Sequence, residues 1–269
     1  MLAGLAPARR RLLLVLLALV LVAAAVAVAV PLLTGDDAAP GTAADPEQPG
    51  PVLLVPGYGG STESLRPLAE QLTAAGRDAT VVEVPDGGTG DLRGSAEALG
   101  DAVDAALDRT GAESVDVVGY SAGGVIARLW AADGGAAQAR RVVTLGSPHH
   151  GTTVADLARS FVPAECGVGC QQLTTDSDLL AGLNAGDETP AGPSWVSIWS
   201  TVDQTVTPPA SAELAGALEL PVQSVCADSD VSHGQLPTDP LVQAMVLAQL
   251  QPGDPVELGS DDCTTLAAG

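Results

Sequence analysis

Short apolar runs alternate with amphipathic, helix-like stretches along most of the chain, from residue 52 to residue 249. The runs are rich in valine and leucine, which is typical of strands buried on both faces of a sheet. They predict strands at 52–55, 80–84, 114–118, 141–145, 195–199 and 222–225. Leucine and alanine at helical spacing predict helices after Ser61 or Thr62, at 95–110, at 122–132 and at 239–249. Such alternation predicts an α/β fold, a mostly parallel sheet with helices on both faces.

Glycine-rich loops follow two of the predicted strands, at Pro56–Gly60 and at Gly119–Gly124. Both loops fall at the carboxyl end of their strand, and active sites in parallel sheets lie at that edge. Residues 152–193 lack strand character and predict a small insertion with helical stretches at 153–161 and 177–183. This insertion is either a lid or a structural flap.

The first 33 residues differ in character from the rest of the chain. Arg9–Arg11 precedes an uninterrupted apolar run from Leu12 to Val30, and basic residues before such a run orient it with the N-terminus inside. The run approaches the roughly 20 residues that span a bilayer, so we expect a signal anchor, with a cleaved signal peptide as the alternative. Residues 34–50 predict a flexible linker and residues 51–269 the folded domain. Both alternatives place this domain outside the cytoplasm, either on the extracellular side of the membrane or secreted.

Composition narrows the classes of partner. The formal net charge is −22, and all 11 basic residues are arginines. A basic patch that would neutralise phosphates is therefore not expected, which argues against nucleic-acid binding. The four cysteines, all after residue 160, favour disulfide bonds in an exported domain. A second ligand pair at zinc-finger spacing does not accompany Cys166 and Cys170, so no metal is expected there.

The stretch Gly119-Tyr120-Ser121-Ala122-Gly123 joins a predicted strand to a predicted helix. This G-x-S-x-G pattern is typical of the nucleophile elbow, in which a strained turn exposes a serine hydroxyl above the sheet. Glycines flank the serine because side chains at those positions would collide with the neighbouring backbone. Ser121 is therefore the predicted nucleophile.

A nucleophilic serine needs a histidine base and an acid that orients it, in the chain order Ser, Asp or Glu, His for this arrangement. Among the three histidines, only His233 leaves room for an acid between itself and Ser121 after the intervening strand. Asp203 lies in the turn that follows the strand at 195–199 and is the preferred acid. The other candidate acids are Asp187, Asp228 and Asp230.

Two backbone N–H groups are needed to stabilise the oxyanion. The expected donors are Ala122, which follows the nucleophile, and Tyr58, in the first glycine-rich loop. The alternative for that loop is a simple tight turn, whereas a phosphate-binding loop is disfavoured because its motif and lysine are missing. The segment Gly146–Thr152 contains His149 and His150, and we expect a turn that lines the acyl pocket rather than a metal site.

Taken together, these residues resemble bacterial secreted lipases and esterases of the α/β-hydrolase superfamily, and most closely the small actinobacterial group called class 2 lipases. The resemblance covers about residues 50–252 and implies a compact α/β-hydrolase fold lacking the first two strands, with no cofactor. Pro56 stands where the family often has histidine. The resemblance also implies disulfides Cys166–Cys170 and Cys226–Cys263. The matching residues are Pro56–Gly60, Gly119–Gly123, Gly146–Thr152, Asp203–Val206, His233 and Leu236-Pro237.

The expected function is hydrolysis of carboxylic esters, such as lipid or acylglycerol esters, through an acyl-enzyme on Ser121. An acyltransferase or thioesterase acting on envelope lipids with the same triad is one alternative, and a non-catalytic binding protein of this fold is another. We expect a monomer that associates with the membrane through its N-terminus. Apolar residues of the insertion are candidates either for an acyl tunnel or for ordinary core packing: Phe161, Val162, Leu173, Leu179, Leu180 and Leu183.

Overall fold

The structure, a computed structural model, describes residues 43–268. The predicted membrane or signal segment, residues 1–33, lies outside the described residues, as does the first part of the predicted linker. Within residues 43–268, no helix is both long enough and apolar enough to cross a membrane.

The described residues form one sheet of six parallel strands in the order β2-β1-β3-β4-β5-β6. The strands are β1 (Val52–Val55), β2 (Ala79–Val81), β3 (Val115–Tyr120), β4 (Ala139–Leu145), β5 (Ser194–Trp199) and β6 (Leu218–Pro221). Alternate residues of a strand face opposite sides of the sheet. Accordingly, Leu53 and Val55 belong to one hydrophobic cluster, and Val52 and Leu54 belong to another.

Helices cover both faces of the sheet. The α-helices are α1 (Arg66–Ala74), α2 (Leu92–Thr110), α3 (Ala122–Ala132), α4 (Thr153–Phe161), α5 (Val168–Gln172), α6 (Asp178–Leu183), α7 (Val222–Val225), α8 (Pro240–Gln249) and α9 (Cys263–Ala267). Helices α2 and α3 pack against the first cluster, whereas α1 and α8 pack against the second. The predicted fold class, a compact parallel sheet between two helical layers, is confirmed.

Several predicted elements differ from the structure. Val222–Val225 was expected to be the last strand but forms the short helix α7, and the strand is the preceding segment, Leu218–Pro221. That strand carries a half-buried Glu219 whose carboxylate accepts hydrogen bonds from the Trp199 indole and the Leu214 backbone. Because Glu219 interrupts the apolar pattern, the sequence did not indicate this strand. Val222 and Val225, which suggested a strand, bury their side chains from a helix instead.

Other differences concern the ends of elements and two short helices. Helix α1 begins at Arg66 with Leu65 at its N-cap, so neither Ser61 nor Thr62 caps it. The edge strand β2 ends at Val81 rather than Val84. Helices α5 and α9 were not predicted, because both are only five residues long and carry little periodicity.

A buried ion-pair network closes the edge of the sheet formed by the amino ends of the strands. Asp116 on β3 is fully buried and accepts hydrogen bonds from Arg77 at 2.6 Å and from Arg140 at 2.6 and 2.9 Å. Arg140 also donates to the carbonyl of Pro46, which in turn accepts the backbone N–H of Gly253 at 2.9 Å. The loops that carry the predicted site lie at the opposite edge, formed by the carboxyl ends of the strands.

Candidate active site

Ser121 lies between the end of β3 and the start of α3, where the chain turns sharply. Its backbone has φ 54° and ψ −124°, a conformation that residues other than glycine rarely adopt. A Cβ placed on Gly119 would lie 2.6 Å from the backbone of Gly123, and one placed on Gly123 would lie 2.2 Å from the carbonyl oxygen of Val55. The two glycines therefore permit the tight strand–turn–helix contact that lifts the serine above the sheet.

The structure brings Ser121, His233 and Asp203 together in one hydrogen-bonded array. His233 Nε2 lies 3.0 Å from Ser121 Oγ, and His233 Nδ1 lies 2.7 Å from Asp203 Oδ2. All three side chains are buried, with no more than a tenth of each residue exposed. If Nδ1 carries the proton and donates to the carboxylate, Nε2 is left as an acceptor for the serine hydroxyl, which is the tautomer that a general base requires.

Asp203 is held in place by its own loop. Its Oδ1 accepts the backbone N–H groups of Thr205 at 2.7 Å and Val206 at 2.9 Å, which leaves Oδ2 for the histidine. The alternative acids lie elsewhere: Asp228 and Asp230 are exposed, and the exposed Asp187 bonds to Thr189. Only Asp203, of these four, contacts His233 in the described structure.

The two predicted oxyanion donors lie beside the serine. Gly57 packs directly against it, since a Cβ on Gly57 would lie 3.0 Å from Ser121 Cβ and 3.5 Å from its Oγ. Tyr58 follows Gly57, and Ala122 is the first residue of α3. Within residues 43–268, neither backbone N–H donates to a protein acceptor, so both are free to bind an oxygen. The helix N-terminus adds a favourable dipole for developing negative charge.

Tyr120 supports the histidine, a role that the sequence analysis missed. Its hydroxyl donates to the carbonyl oxygen of His233 at 3.2 Å, and the two rings lie 5.2 Å apart. Burial, assisted by the charge of Asp203, raises the pKa of Tyr120 to about 12, so its hydroxyl stays protonated as a donor. The sequence signal was present, because Tyr120 directly precedes the nucleophile in the motif, but its spacing to His233 revealed no contact.

The segment Gly146–Thr152 lies next to the triad. A Cβ on Gly146 would meet Leu236 and would lie 3.3 Å from both Asp203 Oδ2 and His233 Nδ1. His149 is fully buried with Nε2 3.2 Å from the Thr144 hydroxyl, and burial together with the charge of nearby Arg128 places its pKa well below 6.5. His149 is therefore neutral near pH 7.

His150 points elsewhere, toward Glu188, with Nε2 3.1 Å from the carboxylate. The two adjacent histidines thus have separate partners. Among residues 43–268 there is no group of three or more histidine, cysteine, aspartate or glutamate residues that could hold a metal ion.

A buried arginine ties the elbow helix to the insertion. Arg128 of α3 donates to the carbonyl oxygens of Leu183 and Glu188 and to the side-chain oxygen of Asn184. The Asn184 amide in turn donates to the carbonyl oxygen of His149 at 3.0 Å. Burial lowers the pKa of Arg128 to about 10, which still leaves the guanidinium charged at neutral pH. The end of the insertion is thus fixed to α3, the helix that follows Ser121.

Both disulfides implied by the resemblance are present, Cys166–Cys170 and Cys226–Cys263. The first lies within the insertion, and the second joins the segment before His233 to helix α9. Of the candidate tunnel residues, Leu173, Leu179 and Leu180 are buried in the core and Leu183 packs against it. Phe161 and Val162 are exposed instead.

Comparison with known proteins agrees with this architecture. Residues 50–167 match the family model described as the α/β-hydrolase fold. Lipase B of Aspergillus fumigatus superposes with a TM-score of 0.61 at 21% identity, over 82% of this chain, which spans only 61% of that protein. The mature form of the lipase BlEst2 of Bacillus licheniformis gives a TM-score of 0.62 at 19% identity, over 77% of this chain and 94% of that one.

The propeptide form of BlEst2 gives a TM-score of 0.62 at 20% identity, over 81% of this chain and 54% of that one. No curated protein sequence matches the chain. At such identities the structural likeness is one of fold. The chain has the α/β-hydrolase fold, which the family match over residues 50–167 and these structural neighbours share.

Proposed function

We propose that the protein is a serine hydrolase that cleaves carboxylic esters through an acyl-enzyme on Ser121. The observation that carries this proposal is the continuous hydrogen-bonded array from Ser121 Oγ through His233 to Asp203 at a strand-to-helix elbow. The neighbouring lipases support ester hydrolysis in general, because they share the fold in which this chemistry is common. The array supplies what acyl transfer needs, which is a nucleophile, a base and an oriented acid.

The proposed reaction has two halves. His233 Nε2 takes the proton of Ser121 as Oγ attacks the ester carbonyl, and the N–H groups of Tyr58 and Ala122 donate to the oxyanion. The intermediate collapses as the imidazolium returns the proton to the alkoxide leaving group, so the alcohol departs. Water then attacks the acyl-enzyme, His233 takes its proton and returns it to Ser121, and the carboxylic acid is released. Asp203 stabilises the imidazolium in both halves.

The finer parts of the proposal concern group, substrate and location. We place the chain with the small secreted bacterial lipases of the actinobacterial class 2 type, acting on lipid or acylglycerol esters. The apolar run at 12–30 after Arg9–Arg11 supports action outside the cytoplasm, either anchored to the membrane or secreted. The two disulfides are compatible with an oxidising compartment.

The test is hydrolysis of a p-nitrophenyl ester series, from acetate to palmitate, by the purified protein and by Ser121→Ala. Ser160→Ala, which removes an exposed hydroxyl from the end of α4, is the matched control. We expect loss of turnover by about 10³-fold or more in Ser121→Ala and an unchanged rate in the control. A fluorophosphonate probe should label Ser121, and a chelator should leave the rate unchanged.

The outcomes separate the alternatives. Turnover in Ser121→Ala within tenfold of the parent rate would refute the proposed mechanism. Transfer of the acyl group to an added alcohol or thiol in preference to water would indicate an acyltransferase. Absence of both turnover and probe labelling in the parent protein would indicate a non-catalytic member of the fold. The chain length with the highest kcat/KM separates a lipase from a short-chain esterase.

A further inference from the structure

One face of helix α4 carries three large apolar side chains that the described part of the chain leaves partly or mostly exposed. Val154, Leu157 and Phe161 follow one another at i, i+3 and i+7 and are 41%, 55% and 79% exposed. Phe161 is the only phenylalanine of the chain. Single exposed apolar residues are common, whereas a one-sided row on a helix indicates an interaction surface. We call these three residues the α4 apolar face.

The other faces of α4 are occupied within the domain. Ala155 is buried in the first hydrophobic cluster, and Ala158 packs against that cluster. Arg159 forms an ion pair with Asp176 at 2.7 Å, and Asp156 accepts hydrogen bonds from the backbone and hydroxyl of Thr175. The charged groups of the helix are therefore directed to one neighbouring segment, and the α4 apolar face itself carries no charge.

Helix α4, which carries the apolar face, belongs to the rim of loops and helices at the carboxyl edge of the sheet, where Ser121 lies. Hydrogen bonds link the first glycine-rich loop, Pro56–Gly60, to the loop after β2 (Gly59 N–H to Gly88 O, 3.3 Å), and link that loop to the disulfide segment Cys166–Cys170 (Gly169 N–H to Thr89 O, 3.1 Å).

Helix α4 continues directly into the disulfide segment Cys166–Cys170, with the Cys166 N–H donating to Val162 O at 3.3 Å. At its other end α4 is bonded to the loop that follows Asp203, through Thr153 N–H and Thr207 O at 2.9 Å. These bonds connect both ends of α4 to neighbouring segments at the carboxyl edge of the sheet.

We propose that the α4 apolar face docks the protein on a lipid surface of no net charge, so that the rim around Ser121 meets the lipid. The proposal extends the proposed ester hydrolysis by naming the physical state of its substrate, an aggregated lipid. A helix with one uncharged apolar face suits the plane of a lipid–water interface, into which such a face inserts. The net charge of −22 makes an anionic surface repulsive. A neutral surface is therefore the fitting partner.

The first test places a fluorophore on the helix. In Phe161→Trp, phosphatidylcholine vesicles should shift the fluorescence emission of the new indole to shorter wavelength. Vesicles of brominated phosphatidylcholine should quench this emission at least about twofold. The three native tryptophans are buried, so the parent protein supplies the background. Val256→Trp is the matched control, because Val256 is 44% exposed but lies near the start of β5 at the opposite edge of the sheet. No quenching at 161, or equal quenching at both positions, overturns the proposal.

The lipid charge gives a second criterion on the same variant. Replacing phosphatidylcholine by phosphatidylglycerol should weaken the quenching of Trp at 161 at low salt, and about 0.5 M salt should reduce the difference by screening. Stronger binding to the anionic vesicles would contradict the proposal, because it would show that electrostatic attraction rather than the apolar face drives docking.

The third test separates docking from chemistry. The double variant Leu157→Ser with Phe161→Ser should hydrolyse an ester presented in phosphatidylcholine vesicles about tenfold or more slowly, because it removes the apolar surface whose burial in the lipid favours docking. Its rate on water-soluble p-nitrophenyl acetate should stay within twofold of the parent. Equal rates on the vesicle substrate overturn the proposal. If the parent hydrolyses neither ester, the proposed function fails, while the quenching experiment still decides the docking.

Discussion

Replacing Asp203 by asparagine tests the proposed mechanism most sharply, because the structure fixes how the new amide must lie. Two backbone N–H groups, those of Thr205 and Val206, point at Oδ1 and require an acceptor there. The amide oxygen of asparagine therefore takes that position, and its NH₂ group faces His233 Nδ1. The histidine must then accept at Nδ1 and carry its proton on Nε2, where it can no longer take the proton of Ser121.

The expected loss in kcat is about 10⁴-fold, or about 5 kcal/mol of transition-state stabilisation. The assay is hydrolysis of soluble p-nitrophenyl butyrate, with fluorophosphonate labelling of Ser121 measured in parallel. Asp187→Asn and Asp230→Asn are the matched controls and should retain the parent rate within about twofold. Retention of more than a tenth of the parent kcat in Asp203→Asn would refute the tautomer argument, as would an equal loss in either control.

The remaining predictions concern stability and are read from urea unfolding. Asp116→Asn should lower the free energy of unfolding by about 3–5 kcal/mol because it leaves buried guanidinium groups without their counter-charge, whereas Glu63→Gln in an exposed pair should change it by less than about 1 kcal/mol; similar losses would contradict the network's role. Replacing both Cys226 and Cys263 by alanine opens a loop whose ends are 37 residues apart and should cost roughly 4 kcal/mol, and a loss below about 1 kcal/mol would contradict this. Because burial holds the pKa of His149 below its unfolded value of 6.5, the unfolded chain binds the extra proton as pH falls below 6.5. Stability should therefore decline there by up to about 1.4 kcal/mol per pH unit. His149→Gln should lack that share of the slope, and identical slopes would refute the assignment.

The alternation of apolar runs was sufficient to predict the sheet and most helices. Strand β1 and helices α3 and α4 have the predicted bounds, because each is marked locally by turn residues and by a clear period. The last strand was misplaced since its identity depends on long-range contacts. The half-buried carboxylate of Glu219 in β6 is stabilised by hydrogen bonds from the Trp199 indole and the Leu214 backbone N–H. No local sequence pattern indicates those partners.

The candidate site was predictable to the extent that chemistry fixes residue type and chain order. Ser121 and His233 followed from one motif and one ordering rule, and the structure places them 3.0 Å apart. Contacts between residues far apart in the chain carried no such signal. The hydroxyl of Tyr120 reaches His233 across 113 positions, and Arg128 reaches Glu188 across 60. Such partners are chosen by packing of the whole domain rather than by spacing.

The hydrogen bond between Gly253 and Pro46 has a practical consequence for attaching the protein to a support. The chain enters the domain and begins its last stretch at the same place, beside the Asp116 network and at the amino ends of the strands. A tether fixed just before residue 43 would therefore hold the domain by the side opposite Ser121. A domain immobilised in this way would present the edge of the sheet that carries Ser121 to the surrounding solution, without the need for a spacer.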